Sequence, residues 1–200
     1  MRRINPFLFV MILFAAGFAA AYAILQTAPG TQTAGKALIG GPFSLVDTDG
    51  KRVTDRDFRG KLMLVFFGYT HCPDVCPTEL QTMAEVVDKL GADADALAPV
   101  FISVDPARDT PEALSAYVKA FSPRITGLTG SPDEAASAAK AYRVYFRKAG
   151  GGPDDYTVDH SAFVYLMDRD GNYLTHFTFN TPADAIVGVI KKHLSGDKSA

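Results

Sequence analysis

Runs of lysine and arginine are missing from this 200-residue sequence, whose formal net charge is −2. It therefore carries no electrostatic footprint for nucleic acid, and none is expected among its partners. Tryptophan is absent as well, yet 48% of the residues are hydrophobic, enough for one globular domain with a short extension. Cysteine occurs only at Cys72 and Cys76. Two thiolates alone fall short of a complete site for a soft or borderline metal, so any such site needs a donor from elsewhere. Charge is also lacking from Phe7 to Leu25, a mostly apolar stretch of roughly the ~20 residues that cross a bilayer core.

The flanks of that stretch set its direction. Arg2 and Arg3 precede it and nothing comparable follows, so the positive-inside bias places the N-terminus in the cytoplasm and the rest in the periplasm or an equivalent extracytoplasmic space. Residues 1–25 read as an N-terminal membrane anchor. Ala21-Tyr22-Ala23 resembles a signal-peptide cleavage site and keeps a cleaved leader as the alternative, although the apolar run exceeds the usual h-region. Residues 26–41, small, polar and punctuated by glycine and proline, read as a linker. A folded domain over 42–195 and a tail over 196–200 complete the chain.

Within the domain, Asp47-Thr48-Asp49-Gly50 is a hairpin turn signal between Phe43-Leu45-Val46 and Arg52-Val53-Thr54. Leu62 to Phe67 and Pro99 to Val104 are continuous apolar runs, expected of central parallel strands buried on both faces. Ser161 to Met167 and Tyr173 to Phe179, joined at Asp170-Gly171, read as an antiparallel hairpin. Helical segments fall between and after these runs, which argues an α/β sandwich around a mixed sheet. Thr110-Pro111, Ser131-Pro132 and Thr181-Pro182 each put a hydroxyl at a helix N-cap and proline at the first helical position. Cys76-Pro77-Thr78-Glu79 has the same form with sulfur in place of the hydroxyl, and Leu80, Met83, Ala84, Val87 and Leu90 recur behind it at helical spacing. On this reading Cys76 caps the helix, whose N–H groups and dipole favour its thiolate.

The cysteine pair itself leaves three readings open: structural bridge, redox couple and metal site. A bridge across three intervening residues constrains little of the unfolded chain and is the least favoured. For a metal, the third donor is expected to be an imidazole. His71 adjoins Cys72 and reads as a solvated loop residue; His176 lies within a predicted strand and reads as structural; His193 follows two lysines in a final helical turn, where cations complement the dipole. His160, in a loop entering the strand from Ser161, is the remaining candidate; Asp159 reads as a solvated loop carboxylate, with orientation of the imidazole as its alternative role.

Three motifs in this order, GYTHCPDVCPTEL (Gly68 to Leu80), SVDPARDTPE (Ser103 to Glu112) and TVDHSAFVYLMD (Thr157 to Asp168), behind one membrane segment, resemble the Sco/SenC family of membrane-anchored copper chaperones. The resemblance covers the chain from Pro42 onward. It implies a thioredoxin-like α/β domain with a mixed central sheet flanked by helices, behind one N-terminal transmembrane helix. It also implies a copper site of Cys72, Cys76 and His160, and a role in assembling the binuclear copper centre of cytochrome c oxidase. The partners expected are the copper-receiving subunit of that oxidase, a copper donor protein, and the membrane. Two thiolates and an imidazole suit Cu(I), and hold Cu(II) if a weak donor or water joins; zinc would prefer four ligands.

The competing function is an exported thiol–disulfide oxidoreductase, with Cys72 attacking and Cys76 resolving or the reverse. Thioredoxin-type enzymes usually carry a cis-proline where this chain has Val158-Asp159-His160, so metal binding leads. A peroxiredoxin-like peroxidase rests on fold analogy alone. Asp105, Arg108 and Asp109 read as a helix-entry turn with a structural or partner-docking role.

Overall fold

The computed structural model describes residues 39–152 and 155–196. The expected anchor, the linker before Ile39 and the tail after Gly196 lie outside them. No helix among the described residues is long and apolar enough to cross a membrane.

The predicted N-terminal hairpin forms from β1 (Ser44–Asp47) and β2 (Arg52–Thr54), paired antiparallel. Its turn closes because Asp47 Oδ1 accepts from the N–H groups of Asp49 and Lys51, both at 2.9 Å, while Gly50 takes φ +78°, a conformation that suits glycine. The two apolar runs become β3 (Leu62–Gly68) and β4 (Leu97–Ser103), parallel neighbours buried at every position. On the far side of β4, β5 (Thr126–Thr129) is also parallel. Beyond β3, β8 (Phe163–Met167) and β9 (Tyr173–Thr178) run antiparallel. The seven strands lie in the order β2-β1-β5-β4-β3-β8-β9.

Helices α1 (Val75–Leu90), α2 (Pro111–Lys119), α3 (Pro132–Ala141) and α4 (Ala183–Gly196) flank this sheet. The result is the thioredoxin-like arrangement expected. Thr110 caps α2 by accepting from Ala113 N at 3.3 Å. Ser131 caps α3 within a full capping box, its hydroxyl accepting from Glu134 N and Glu134 Oε2 accepting from Ser131 N, so two otherwise orphaned donors are satisfied reciprocally. Thr181, before α4, turns its hydroxyl to donate to the Thr178 carbonyl at 2.7 Å. The α1 stripe of Leu80, Met83, Val87 and Leu90 is buried as its spacing predicts, and each such side chain is worth ~1.5–3 kcal/mol of hydrophobic stabilisation. Gly127 in β5 admits α2: a Cβ there would meet Leu114 Cγ at 2.9 Å.

One element departs from the sequence reading in a way that matters for the site. Tyr156 to His160, expected as loop, contains β7 (Thr157–His160), which pairs antiparallel with β6 (Phe146–Ala149) in a separate two-stranded sheet. Correspondingly, β8 begins at Phe163 rather than Ser161. Both strands of the small sheet are largely exposed, so neither shows the apolar run or strong alternation that reveals a strand in sequence. An isolated two-stranded ribbon is marginal in water, and this one is held by contacts to the main body described below.

Candidate metal centre

The cysteines sit where β3 hands over to α1. From Gly68 the chain turns through Tyr69 to Asp74, and the helix starts at Val75 with Asp74 as its N-cap residue. Cys76 is therefore not the cap, contrary to expectation: it lies in the first turn, fully buried. Cys72 takes the capping role instead, its Sγ accepting from Cys76 N at 3.3 Å. The proline after Cys76 had suggested a cap at sulfur, but the helix begins two residues earlier, and the Cys76 N–H of its first turn points to the loop sulfur. Both cysteines are in the free thiol form.

Gly68 allows Cys76 its depth. A Cβ at Gly68 would fall 2.6 Å from Cys76 Sγ and 2.9 Å from Phe101 Cε2, so any larger residue at the end of β3 would push the sulfur outward.

His160 arrives from β7, and its Nε2 lies 3.4 Å from Cys76 Sγ. The other ring nitrogen, Nδ1, is 3.1 Å from the Ser161 carbonyl; because a carbonyl can only accept, this contact keeps a proton on Nδ1 and directs Nε2 at the sulfurs. Edge-on aromatic contacts from Tyr69, at 5.8 Å, and Phe66, at 6.0 Å between ring centroids, fix the imidazole plane. One donor atom from each of Cys72, Cys76 and His160 lies within 4.8 Å of the others, and no fourth His, Cys, Asp or Glu joins them among the described residues.

The other histidines stand apart from this cluster. His71 is exposed, with Nδ1 2.9 Å from the Thr70 hydroxyl. His176 is exposed on β9, with the Tyr173 hydroxyl on Nδ1 at 2.6 Å, and His193 is exposed in the last turn of α4. Asp159 is the solvated carboxylate expected: it faces solvent and pairs with Arg147 at 3.5 Å, so its alternative role of orienting His160 falls to a backbone carbonyl.

The two thiols differ sharply. Cys72 is held well below the usual thiol range by its hydrogen bond with Cys76, against the opposing effect of burial, and with further help from His160 and the N–H groups of Asp74 and Cys76. Burial pushes the Cys76 thiol far up, and the adjoining Cys72 adds to it. This reverses the expectation that Cys76 would be the activated sulfur. In the reduced, metal-free protein at neutral pH, iodoacetamide is accordingly expected to modify Cys72, the half-buried thiolate, well before Cys76. Peptide mapping that found Cys76 modified first would contradict this assignment.

Residues of the second motif form the helix-entry turn expected before α2, with Arg108 N and Asp109 N donating to the Asp105 carbonyl at 3.1 and 3.0 Å, and its two carboxylates are buried. Asp109 is fully buried and accepts from Thr70 N, the Thr70 hydroxyl and the Ser103 hydroxyl, tying the loop that carries Cys72 to the end of β4. Asp105, also buried, pairs with Arg108 and accepts from the Tyr156 hydroxyl at 2.6 Å. The Arg108 guanidinium stacks over the Tyr156 ring at 3.7 Å from its centroid. Tyr69 OH accepts from Val158 N at 3.1 Å. Nothing in the sequence singles out Tyr156 or Gly68; their roles come from tertiary contacts alone.

Comparison with known proteins gives consistent findings. The family described as SCO1/SenC matches residues 31–195. The chain is 48% identical over 162 residues to Protein SCO1 homolog 1, mitochondrial, of Arabidopsis thaliana, covering 80% of this chain. It spans about half the length of its mitochondrial relatives, 48% of that protein and 54% of the human SCO1 homologue. Among solved structures, Bradyrhizobium japonicum ScoI with copper bound is 48% identical with a TM-score of 0.73, over 78% of this chain and 99% of that one. BsSco is described as a member of the Sco family of cytochrome c oxidase assembly proteins with a disulfide switch. It is 27% identical with a TM-score of 0.63, over 78% and 92% of the two chains.

Proposed function

Because the chain belongs to the SCO1/SenC family, we propose that it is a copper-binding metallochaperone, held to the membrane by residues 1–25 and linked through 26–41 to a domain over 42–195 that faces the periplasm or an equivalent space. Its cargo is copper, Cu(I) or Cu(II), bound by Cys72, Cys76 and His160. Its recipient is the copper-receiving subunit of cytochrome c oxidase, and a copper donor protein loads it. The observation that carries the reading is the convergence of two sulfurs and one imidazole nitrogen within 4.8 Å, a soft, low-coordinate set that suits Cu(I).

The burial of the donors gives the order of exchange. Cys72 and His160 are partly exposed while Cys76 is buried, so an incoming thiolate can displace the two outer donors first and the inner sulfur last. Binding requires Cys76 to give up a proton held by its burial, which couples copper uptake to proton release.

A second reading, thiol–disulfide exchange, is favoured by the activated Cys72 beside a protonated Cys76. Reduction of a partner disulfide would close a Cys72–Cys76 bond, passing two electrons to the partner and releasing the one proton carried by Cys76, so that one partner sulfur leaves as thiolate or takes its proton from water. Both readings use the same sulfurs, so they are mutually exclusive in a single encounter. Anaerobic titration of the reduced protein with Cu(I), in competition with a chromophoric chelator, should give a single copper per chain. The oxidised protein, lighter by two hydrogens, should take up none. Equal uptake by the oxidised form without a reductant would rule out sulfur as the ligand.

A further inference from the structure

We propose that Tyr156 and Tyr69 act as a clamp that positions His160, with Asp105 and Arg108 as its anchor. The inference rests on the copper reading above and adds residues that shape the site without touching the metal. His160 does not belong to the main sheet. It ends β7 of the small β6–β7 ribbon, an element too small to hold a side chain in one place unaided. Two hydroxyl contacts join this ribbon to the body of the domain on the side of the cysteines. Immediately before β7, Tyr156 donates to the buried carboxylate of Asp105 at 2.6 Å. Within β7, Val158 N donates to Tyr69 OH at 3.1 Å.

The two contacts are built rather than incidental. Asp105 is 1% exposed and is itself fixed by Arg108 and by the Ser103 hydroxyl, which accepts from Asp105 N at 3.0 Å. Arg108 lies over the face of Tyr156 at 3.7 Å and Lys148 of β6 within 4.1 Å, two cation–π contacts that hold the ring. Tyr69 does two jobs with one side chain: its hydroxyl takes the β7 amide and its ring edge meets the His160 imidazole at 5.8 Å. Because Val158 and His160 are two residues apart on one strand, they share a face of the ribbon. Pinning one therefore sets the direction of the other. Ligand geometry held through such neighbours is worth about 10–100-fold in metal affinity.

The test is a double-mutant cycle on copper affinity. Tyr156→Phe keeps the ring and its cation–π contacts and removes only the hydroxyl. It should weaken Cu(I) binding about tenfold, shift the Cu(II) visible spectrum toward that of His160→Ala, and speed amide exchange at Val158 and His160 in the metal-free protein. In a His160→Ala background the same substitution should cost nothing more, because the residue it positions is gone. An equal loss in both backgrounds, or no loss in either, would overturn the clamp. If Tyr156→Phe does not fold, Tyr69→Phe runs the same cycle through the second tether. Should His160→Ala alone leave affinity and spectrum unchanged, the ligand assignment fails at its root and the clamp with it; a weakened His160→Ala beside an unaffected Tyr156→Phe defeats the clamp only.

Discussion

Serine in place of Cys76 is expected to lower copper affinity by more than the roughly 10–100-fold that loss of an outer-shell partner costs. The substitution removes the buried sulfur that hydrogen-bonds Cys72 and lies 3.4 Å from His160 Nε2. Cys72→Ser should do comparable damage, since it removes the other soft donor while its hydroxyl can still accept from Cys76 N. The chain with both substitutions should lose the sulfur-to-copper charge-transfer band of the Cu(II) form altogether. His160→Ala should be milder than either, because both thiolates remain. The measurement is the same chelator competition, with the visible spectrum recorded beside it. A chain lacking both sulfurs that kept the band would place the copper elsewhere.

Cells without this protein are expected to lose assembled cytochrome c oxidase activity and to recover part of it when copper is added. Complementation at limiting copper separates the two functional readings. Delivery of copper requires all three donors, so Cys72→Ser, Cys76→Ser and His160→Ala should each fail, whereas a dithiol reductase should fail only when a cysteine is lost. Full rescue by His160→Ala would transfer the function to the oxidoreductase reading. The complementing protein also reports on the anchor: it should stay with membranes after an alkaline wash, and a reporter fused at Ala200 should be active outside the cytoplasm. Activity of that reporter inside the cytoplasm would reverse the proposed topology.

The sequence exposed those parts of the fold whose physics is local. Leu62 to Phe67 and Pro99 to Val104 are apolar throughout and became the paired central strands to within about two residues; the caps at Thr110 and Ser131 were visible because capping involves residues only three apart. Where local and tertiary signals disagree, the sequence misleads. Cys76-Pro77 has the form of a cap, yet the helix begins at Val75, and the acceptor at its first turn is a sulfur four residues upstream. The roles of the two thiols are exchanged as well, since burial pushes Cys76 up while the hydrogen bond between the two sulfurs holds Cys72 down. The β6–β7 ribbon was hidden because most of its residues are at least partly exposed, and its ties to the body of the domain, the burial of Val158 and the contacts to Asp105 and Tyr69, reach residues distant in the chain. The turn from Asp105 to Asp109 was visible, whereas the enclosure of its carboxylates by Thr70, Ser103 and Tyr156 depends on contacts that the sequence does not display.

Cys76 and His160 meet across 84 positions of sequence, and that separation has an entropic consequence. In an unfolded chain, bringing two groups so far apart to one ion costs about 4 kcal/mol of loop-closure free energy, to which the ordering of every intervening residue would be added if the site were to take its shape. Once the domain has folded, that entropy has already been lost for reasons unrelated to copper. The complete site therefore belongs to the native fold and not to the nascent chain. Copper loading follows folding, and a chain threaded across a membrane in extended form reaches the far side without its third donor in place. Under the proposed topology, the ion is expected to be supplied on the side where the domain folds, and a chelator that removes it later is expected to leave the sheet and helices standing.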